Sequence, residues 1–260
     1  MHIFQSILLG AIEGVTEFLP VSSTAHLILT SRFLGLRQTE FQTFFEVFIQ
    51  SGAILSVTAL YLKYLFTHRG VLKNILASFI PTAVIGFALH KIIKTVFFQS
   101  EPLIIGSMIV IALVFLLVEH KIKNGSLQLK KSVGNLTTTQ ALLIGLAQSL
   151  AVVPGVSRAG IIIVTMMMMG FKRDESAKYS FMLAIPTILA ASALDLYQSR
   201  DMLSQSSSQI GLLAVGFGTA FITAYLSVKW LIRYLQTNTL TGFAYYRILL
   251  AIIVLLTLVR

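Results

Sequence analysis

Two carboxylates one helical turn apart, then hydroxyls and an imidazole, stand inside an apolar run: Glu13-Gly14-Val15-Thr16-Glu17-Phe18-Leu19-Pro20-Val21-Ser22-Ser23-Thr24-Ala25-His26. Glu13 and Glu17, at i and i+4, share a helix face. Such a pair can serve as a general base or hold a divalent cation, Mg2+ or Ca2+. His26 can take or give a proton near neutral pH. Ser23 and Thr24 follow the helix-breaking Pro20, and one of them is expected to cap the next short helix. A second group lies at Pro154-Gly155-Val156-Ser157-Arg158-Ala159-Gly160. Arg158 carries a permanent charge on a planar fork suited to phosphate or carboxylate oxygens. Gly155 and Gly160 let the backbone approach a ligand closely. Ser157 opens a helix whose free N–H groups favour an anion. Two carboxylates, an arginine, a serine and a histidine suit phosphoryl transfer, which needs charge neutralisation, a nucleophile or positioned water, and an acid. The plainer reading of Arg158 is neutralisation of Glu13 or Glu17, and both readings can hold at once.

Composition places these groups in a membrane. The 260 residues are 56% hydrophobic and 12% charged, with a mean hydropathy of +0.84. Soluble domains carry about 25% charged residues. Cysteine is absent, which excludes thiolate chemistry and Cys-based metal sites. No cleavable signal is expected, because Glu13 and Glu17 fall where its apolar core would be. The net charge of +10 is read as cytoplasmic loops and contact with anionic lipid, not nucleic-acid binding.

Six stretches are long enough to cross: 41–66, 73–92, 101–119, 176–197, 209–234 and 242–260. Two more, 3–35 and 137–170, are interrupted by Pro20 and by Pro154-Gly155, and read as re-entrant helical hairpins. The two interrupted stretches match at an offset of about 135 residues: Gly10-Ala11-Ile12-Glu13 on Gly145-Leu146-Ala147-Gln148, and Val21-Ser22-Ser23 on Val156-Ser157-Arg158. The expected fold is an all-α polytopic membrane protein with an inverted-topology repeat, about six transmembrane helices and two re-entrant hairpins. Residues 1–260 form one membrane domain, with repeat 1 over 1–120, repeat 2 over 137–260 and a cytoplasmic loop at 120–136. Paired broken segments in inverted halves point to a midplane site. Arg158 should therefore lie within about 10 Å of Glu13 or Glu17.

Basic residues set the orientation. Lys63, Arg69, Lys73, Lys121, Lys123, Lys130, Lys131, Lys172, Arg173, Lys178, Lys229, Arg233 and Arg247 fall on one side, and Arg32, Arg37, Lys91, Lys94, Arg200 and Arg260 on the other. That is 13 against 6, with Arg158 inside, and the richer side should be cytoplasmic. Both termini then face outward, and cysteines at positions 126 and 204 should label from opposite sides. Glu46 and Gln50, one turn apart, are expected at the cavity; Met166 to Met169 read as packing and Trp230 as an interfacial anchor.

The motif at 13–26 and Pro154-Gly155-Val156-Ser157-Arg158 resemble the two signatures of the bacterial undecaprenyl-diphosphate phosphatases, the BacA-type family linked to bacitracin resistance. Ser180-Phe181-Met182-Leu183-Ala184-Ile185-Pro186, Phe45-Glu46-Val47 and Ile49-Gln50 resemble that family too. The resemblance implies hydrolysis of undecaprenyl diphosphate to the monophosphate carrier of peptidoglycan synthesis, in the bacterial inner membrane, at a site open to the periplasmic side. Carried over by motif, the essential residues are Glu13, Glu17, Ser23, His26 and Arg158. Ser157, Gly155, Ser22 and Thr24 lie beside the phosphate, and Glu13 and Glu17 are candidate cation ligands. The family pattern Ser-Arg-Ser-Gly-x-Thr is broken at Ala159 and Ile162. Either the two hydroxyls are auxiliary hydrogen-bond donors, or this homologue is slower or altered in substrate; no gain on restoring Ser and Thr would mean a pocket repacked around the apolar pair. The expected partners are a polyprenyl diphosphate and membrane lipids; the oligomeric state stays open, a homodimer among the options. A transporter or flippase for a polyprenyl phosphate would use the same architecture. The hydroxyl and imidazole beside two carboxylates favour chemistry.

Overall fold

Proline and capping residues cut the apolar sequence into ten α-helices among the residues that the computed structural model describes, 1–37, 39–97, 100–198 and 207–258. They are α1 (Ile3–Thr16), α2 (Ser23–Phe33), α3 (Glu40–Thr67), α4 (Arg69–Ile92), α5 (Glu101–Lys123), α6 (Thr138–Ser149), α7 (Arg158–Met168), α8 (Arg173–Gln198), α9 (Ser207–Thr237) and α10 (Thr241–Leu258). Among the described residues no strand forms beyond one bridge between Lys131 and Phe171. Residue 204, Arg200 and Arg260 lie outside the described residues, as do the side chains of Lys91 and Lys94.

The starts and stops have local causes. The Thr39 hydroxyl accepts from Gln42 N–H at the head of α3, and Thr137 accepts from Gln140 N–H at the head of α6. Val153 is extended ahead of Pro154, as a residue before proline prefers, and α6 ends through a short 3-10 turn at Leu150–Val152. Five helices are long and apolar enough to cross a membrane: α3, α4, α5, α8 and α9. The chain is thus a multi-pass membrane protein. The sixth expected crossing, 242–260, corresponds to α10, whose 18 described residues make it shorter than the others.

Packing pairs the two halves. α1 lies along α9 and α6 along α4, while α3 meets α8 and α5 meets α10. The first two crossings are close for the same reason. A Cβ on Gly10 would stand 2.4 Å from the Gly216 carbonyl oxygen, and one on Gly145 2.1 Å from that of Ser78. Both glycines therefore admit a backbone where any side chain would push it away. Gly10 and Gly145 are the residues that the 135-residue offset superimposes. So are Ser22 (φ 72) and Ser157 (φ 69), which among the described residues are the two non-glycine positions of positive φ. Both hairpin tips enter one apolar core, which holds Phe18, Val21, Val156, Ala159, Phe115 and Phe181. Phe18 and Phe181 meet edge to face at 5.5 Å.

One expectation changes here. Arg247, assigned from sequence to the cytoplasmic side, is fully buried inside the helices. The basic asymmetry therefore becomes 12 against 6. The reason is that α10 begins within the protein: Leu240 and Ala244 are buried, and Leu240 N–H donates to Glu119, itself paired with Arg173. The linker after α5 is tied to the rest of the fold. Helix α5 runs on to Lys123, and Lys130 and Lys131 donate backbone N–H to Gly170, tying the connection to the end of the second hairpin.

Candidate active site

Helix α1 carries Glu13 and Glu17 to the first break, and α2 begins with Ser23 just past it. Ser23 Oγ donates to Glu17 Oε2 at 2.5 Å. That length is typical of a hydroxyl on a charged acceptor. The second break brings Arg158 to the same place: its Nη2 donates to Glu17 Oε1 at 3.0 Å. The side chains of Arg158 and Glu17 keep 12% and 10% exposure, so the pair is reachable but poorly screened. Arg158 Nη1 reaches the Ala184 carbonyl at 3.5 Å, and its Nε is buried with no partner among the described residues. The hairpin tips therefore meet, as expected. Glu17 at once orients Ser23 and neutralises Arg158.

Glu13 differs. It is fully buried, and its carboxylate lies within hydrogen-bond reach of that of Glu17, while no N–H or hydroxyl among the described residues donates to either oxygen. It interacts through space with Glu17, Glu46 and Arg158. Glu46 accepts from Ser31 Oγ at 3.0 Å and Gln42 Nε2 at 2.8 Å. Among the described residues no three His, Cys, Asp or Glu side chains converge as a ligand set. A cation held by one or two carboxylates and completed by substrate phosphates is the pattern that suits Mg2+. The adjoining carboxylates of Glu13 and Glu17 fit that pattern.

His26 is placed, but not on Ser23. Its Nδ1 lies 2.7 Å from the Ser22 carbonyl and its Nε2 2.7 Å from the Tyr246 hydroxyl. Tyr246 was not legible as a site residue, because it belongs to no motif and joins the site from α10. The nitrogen against the carbonyl must carry the proton, so the Tyr246 hydroxyl donates to the other in the neutral ring. Ser22, not Ser23 or Thr24, is the residue heading α2, and its side chain makes no capping bond. Ser23 is drawn to Glu17 instead. Ser157 does cap α7, its Oγ accepting from Gly160 N–H at 3.2 Å.

Gly155 also has a packing role. At φ 92 it favours glycine, and a Cβ there would meet Ile104 O at 2.4 Å. It brings the second break close against α5. Gly160 likewise lies against Phe115. Ala159 and Ile162 are buried in the shared apolar core. Met166 and Met167 are buried as packing, and Trp230 stacks on Tyr234 near the end of α9.

Fold and site together define a helical membrane protein whose two broken helices present a serine, a carboxylate pair and an arginine to one another. The model of a known family, described as bacitracin resistance protein BacA, matches residues 6–253. Similar proteins include the "Undecaprenyl-diphosphatase" of Sulfurihydrogenibium sp. (strain YO3AOP1), 43% identical over 97% of this chain and 98% of its own length. Those of Aquifex aeolicus and Wolinella succinogenes are 40% and 41% identical, over 96% and 98% of both chains respectively. The chain belongs to the BacA family.

Proposed function

We propose that the protein hydrolyses undecaprenyl diphosphate to undecaprenyl phosphate and inorganic phosphate, recycling the peptidoglycan lipid carrier and conferring bacitracin resistance. The observation that carries this reading is the Glu17 carboxylate, which holds Ser23 Oγ at 2.5 Å on one oxygen and Arg158 at 3.0 Å on the other. A nucleophile on its base, with an arginine alongside, is the arrangement that phosphoryl transfer needs. The names of the relatives support the substrate.

In this reading the terminal phosphate of the lipid lies against Arg158 and the first N–H groups of α7. Ser23 Oγ attacks the terminal phosphorus, and its proton passes to Glu17. The bridging P–O bond breaks, and the polyprenyl monophosphate leaves. Water then cleaves the Ser23 phosphoester, which releases inorganic phosphate and restores the hydroxyl. Both nitrogens of His26 are engaged elsewhere, which favours Glu17 over His26 as the base for Ser23. His26, held by Tyr246 and the Ser22 carbonyl, lies one turn along α2 from Ser23 and would need to exchange one of these partners to serve the leaving group. A divalent cation, Mg2+ or Ca2+, would be held by Glu13 and Glu17 and would neutralise the diphosphate.

The setting belongs to the same proposal. α1–α2 and α6–α7 are re-entrant hairpins of two inverted repeats, 1–120 and 137–260 joined by 120–136, in the bacterial inner membrane. The offset of 135 residues that relates Gly10 to Gly145 and Ser22 to Ser157 supports the repeat. The basic asymmetry places 120–136 in the cytoplasm and opens the site to the periplasm. The chain has no native cysteine, so single labels are clean. Cysteines at Ser126 and Arg37 should react with an impermeant reagent from opposite sides of the membrane; reaction of both from outside would reject the orientation.

Purified protein should release phosphate from a polyprenyl diphosphate, and a substrate labelled on its terminal phosphate should leave acid-stable label on Ser23 in a quenched reaction. Release without label on Ser23 would make water the nucleophile. No release, with the lipid phosphate moved across vesicles instead, would favour a flippase.

A further inference from the structure

The buried Arg247 has no role in the chemistry above, and its surroundings are unusual. Its side chain is fully buried, and among the described residues no carboxylate lies within ion-pair distance of it. A charge at membrane depth without a counter-ion is costly and needs other partners. Arg247 finds them in backbone carbonyls. Its Nη2 donates to Gly155 O at 2.5 Å and to Val156 O at 3.3 Å. Its Nη1 donates to Pro20 O at 3.3 Å and its Nε to Met108 O at 3.3 Å. The guanidinium also lies 5.7 Å from the Phe115 ring centroid.

The identity of those carbonyls matters. Pro20 is the break of the first hairpin, and Gly155-Val156 the break of the second. Carbonyls freed where helices break lack intrahelical partners and must be satisfied inside the protein. One planar fork satisfies both breaks together, which a lysine cannot do. The chemistry sits a few residues away on each side. Pro20 stands midway between Glu17 and Ser23, and Val156 is two residues before Arg158. A shift of either tip therefore changes the Glu17–Ser23 and Glu17–Arg158 distances. With its donors taken up by carbonyls and its side chain buried, Arg247 is not placed to bind phosphate itself. The preceding residue, Tyr246, holds His26, so one turn of α10 touches both tips and the imidazole.

We propose that Arg247 is a positioning residue for this reaction: it bolts the two hairpin tips in register and so holds Ser23, Glu17 and Arg158 in reacting geometry. The kinetic half of the test rests on the phosphatase reading; the structural half does not. Arg247→Lys keeps the charge, and Arg247→Gln removes it along with the cost of burying it. In full-length protein in nanodiscs, backbone hydrogen exchange of peptides covering 17–23 and 153–158 should rise about tenfold in both variants, with the long helices unchanged. With a polyprenyl diphosphate, kcat should fall about 100-fold, as expected for a misplacement near 1 Å. KM should stay within about threefold, because the phosphate ligands remain. Arg247→Lys combined with Arg158→Lys should lose little more than the worse single variant, because the first acts by placing the second. Wild-type exchange at both tips in either folded variant would overturn the proposal. So would unchanged kcat, or losses that multiply in the double variant. Failure of both variants to fold would make Arg247 a residue of global stability and would also overturn it. If the wild-type protein released no phosphate, the phosphatase reading would fall while the exchange result still decided the role of Arg247.

Discussion

Glu13→Gln should keep or raise thermal stability while turnover falls on the order of 1,000-fold, as when a pre-organised group serving developing phosphate charge is lost. The reason for the first half is burial. Glu13 is fully buried against the Glu17 carboxylate, and no N–H or hydroxyl among the described residues donates to it, so an ionised carboxylate there is a destabilising element. A glutamine of the same shape removes that cost. The protein already carries this arrangement once: Gln148, at the matching place in α6, is buried and donates to Thr82 Oγ1 at 2.7 Å. The second half follows from the proposed role of Glu13 in holding a cation beside Glu17. Mg2+ should raise the melting temperature of the wild-type protein through binding to the folded state, and should leave the variant unmoved. Near wild-type turnover in Glu13→Gln, or an equal melting response to Mg2+, would remove Glu13 from the site.

Arg158→Lys should cost about 100–1,000-fold in kcat despite keeping its charge. Nη2 is committed to Glu17, while Nη1 makes a long contact with Ala184 and the buried Nε has no partner. The fork therefore has capacity left for phosphate oxygens on the side away from Glu17. A lysine can neutralise Glu17 but offers a single point of donation with a shorter reach. Ser23 would remain on Glu17, so the nucleophile would be retained and the loss would fall on the phosphate. Phosphate release by detergent-purified protein of matched melting temperature measures it. If Arg158→Lys turned over like the wild type, Arg158 would be a counter-ion for Glu17 and no more.

Much of the site was legible because its residues are expensive. Glu13, Glu17 and Arg158 stand in apolar sequence where charge is tolerated only for a partner or a task, and Pro20 and Pro154 mark where the helices must break. Those two facts brought α1–α2 and α6–α7 together on paper, and Arg158 does meet Glu17. What stayed hidden came from helices without a motif. Arg247 lies near the start of an apolar run, where a basic residue ordinarily snorkels to the interface. Tyr246 looked like any aromatic residue at a membrane boundary. One role within the motifs also differs: Ser22, not Ser23 or Thr24, is the N-cap of α2, which leaves Ser23 free for Glu17.

The sequence by itself determined the membrane class, the helices and their breaks, and the polar groups that gather at those breaks. Each of these follows from local physics: hydropathy over about 20 residues, the missing N–H of proline, and the cost of charge in lipid. Tertiary structure decided depth and partnership. Whether Arg247 lies at a surface or at the centre depends on where α10 begins, and that is set by Leu240 docking on Glu119, 121 residues away along the chain. The same packing converts two distant breaks into one site, because a carbonyl freed in each hairpin finds its donor on the same arginine of a third segment.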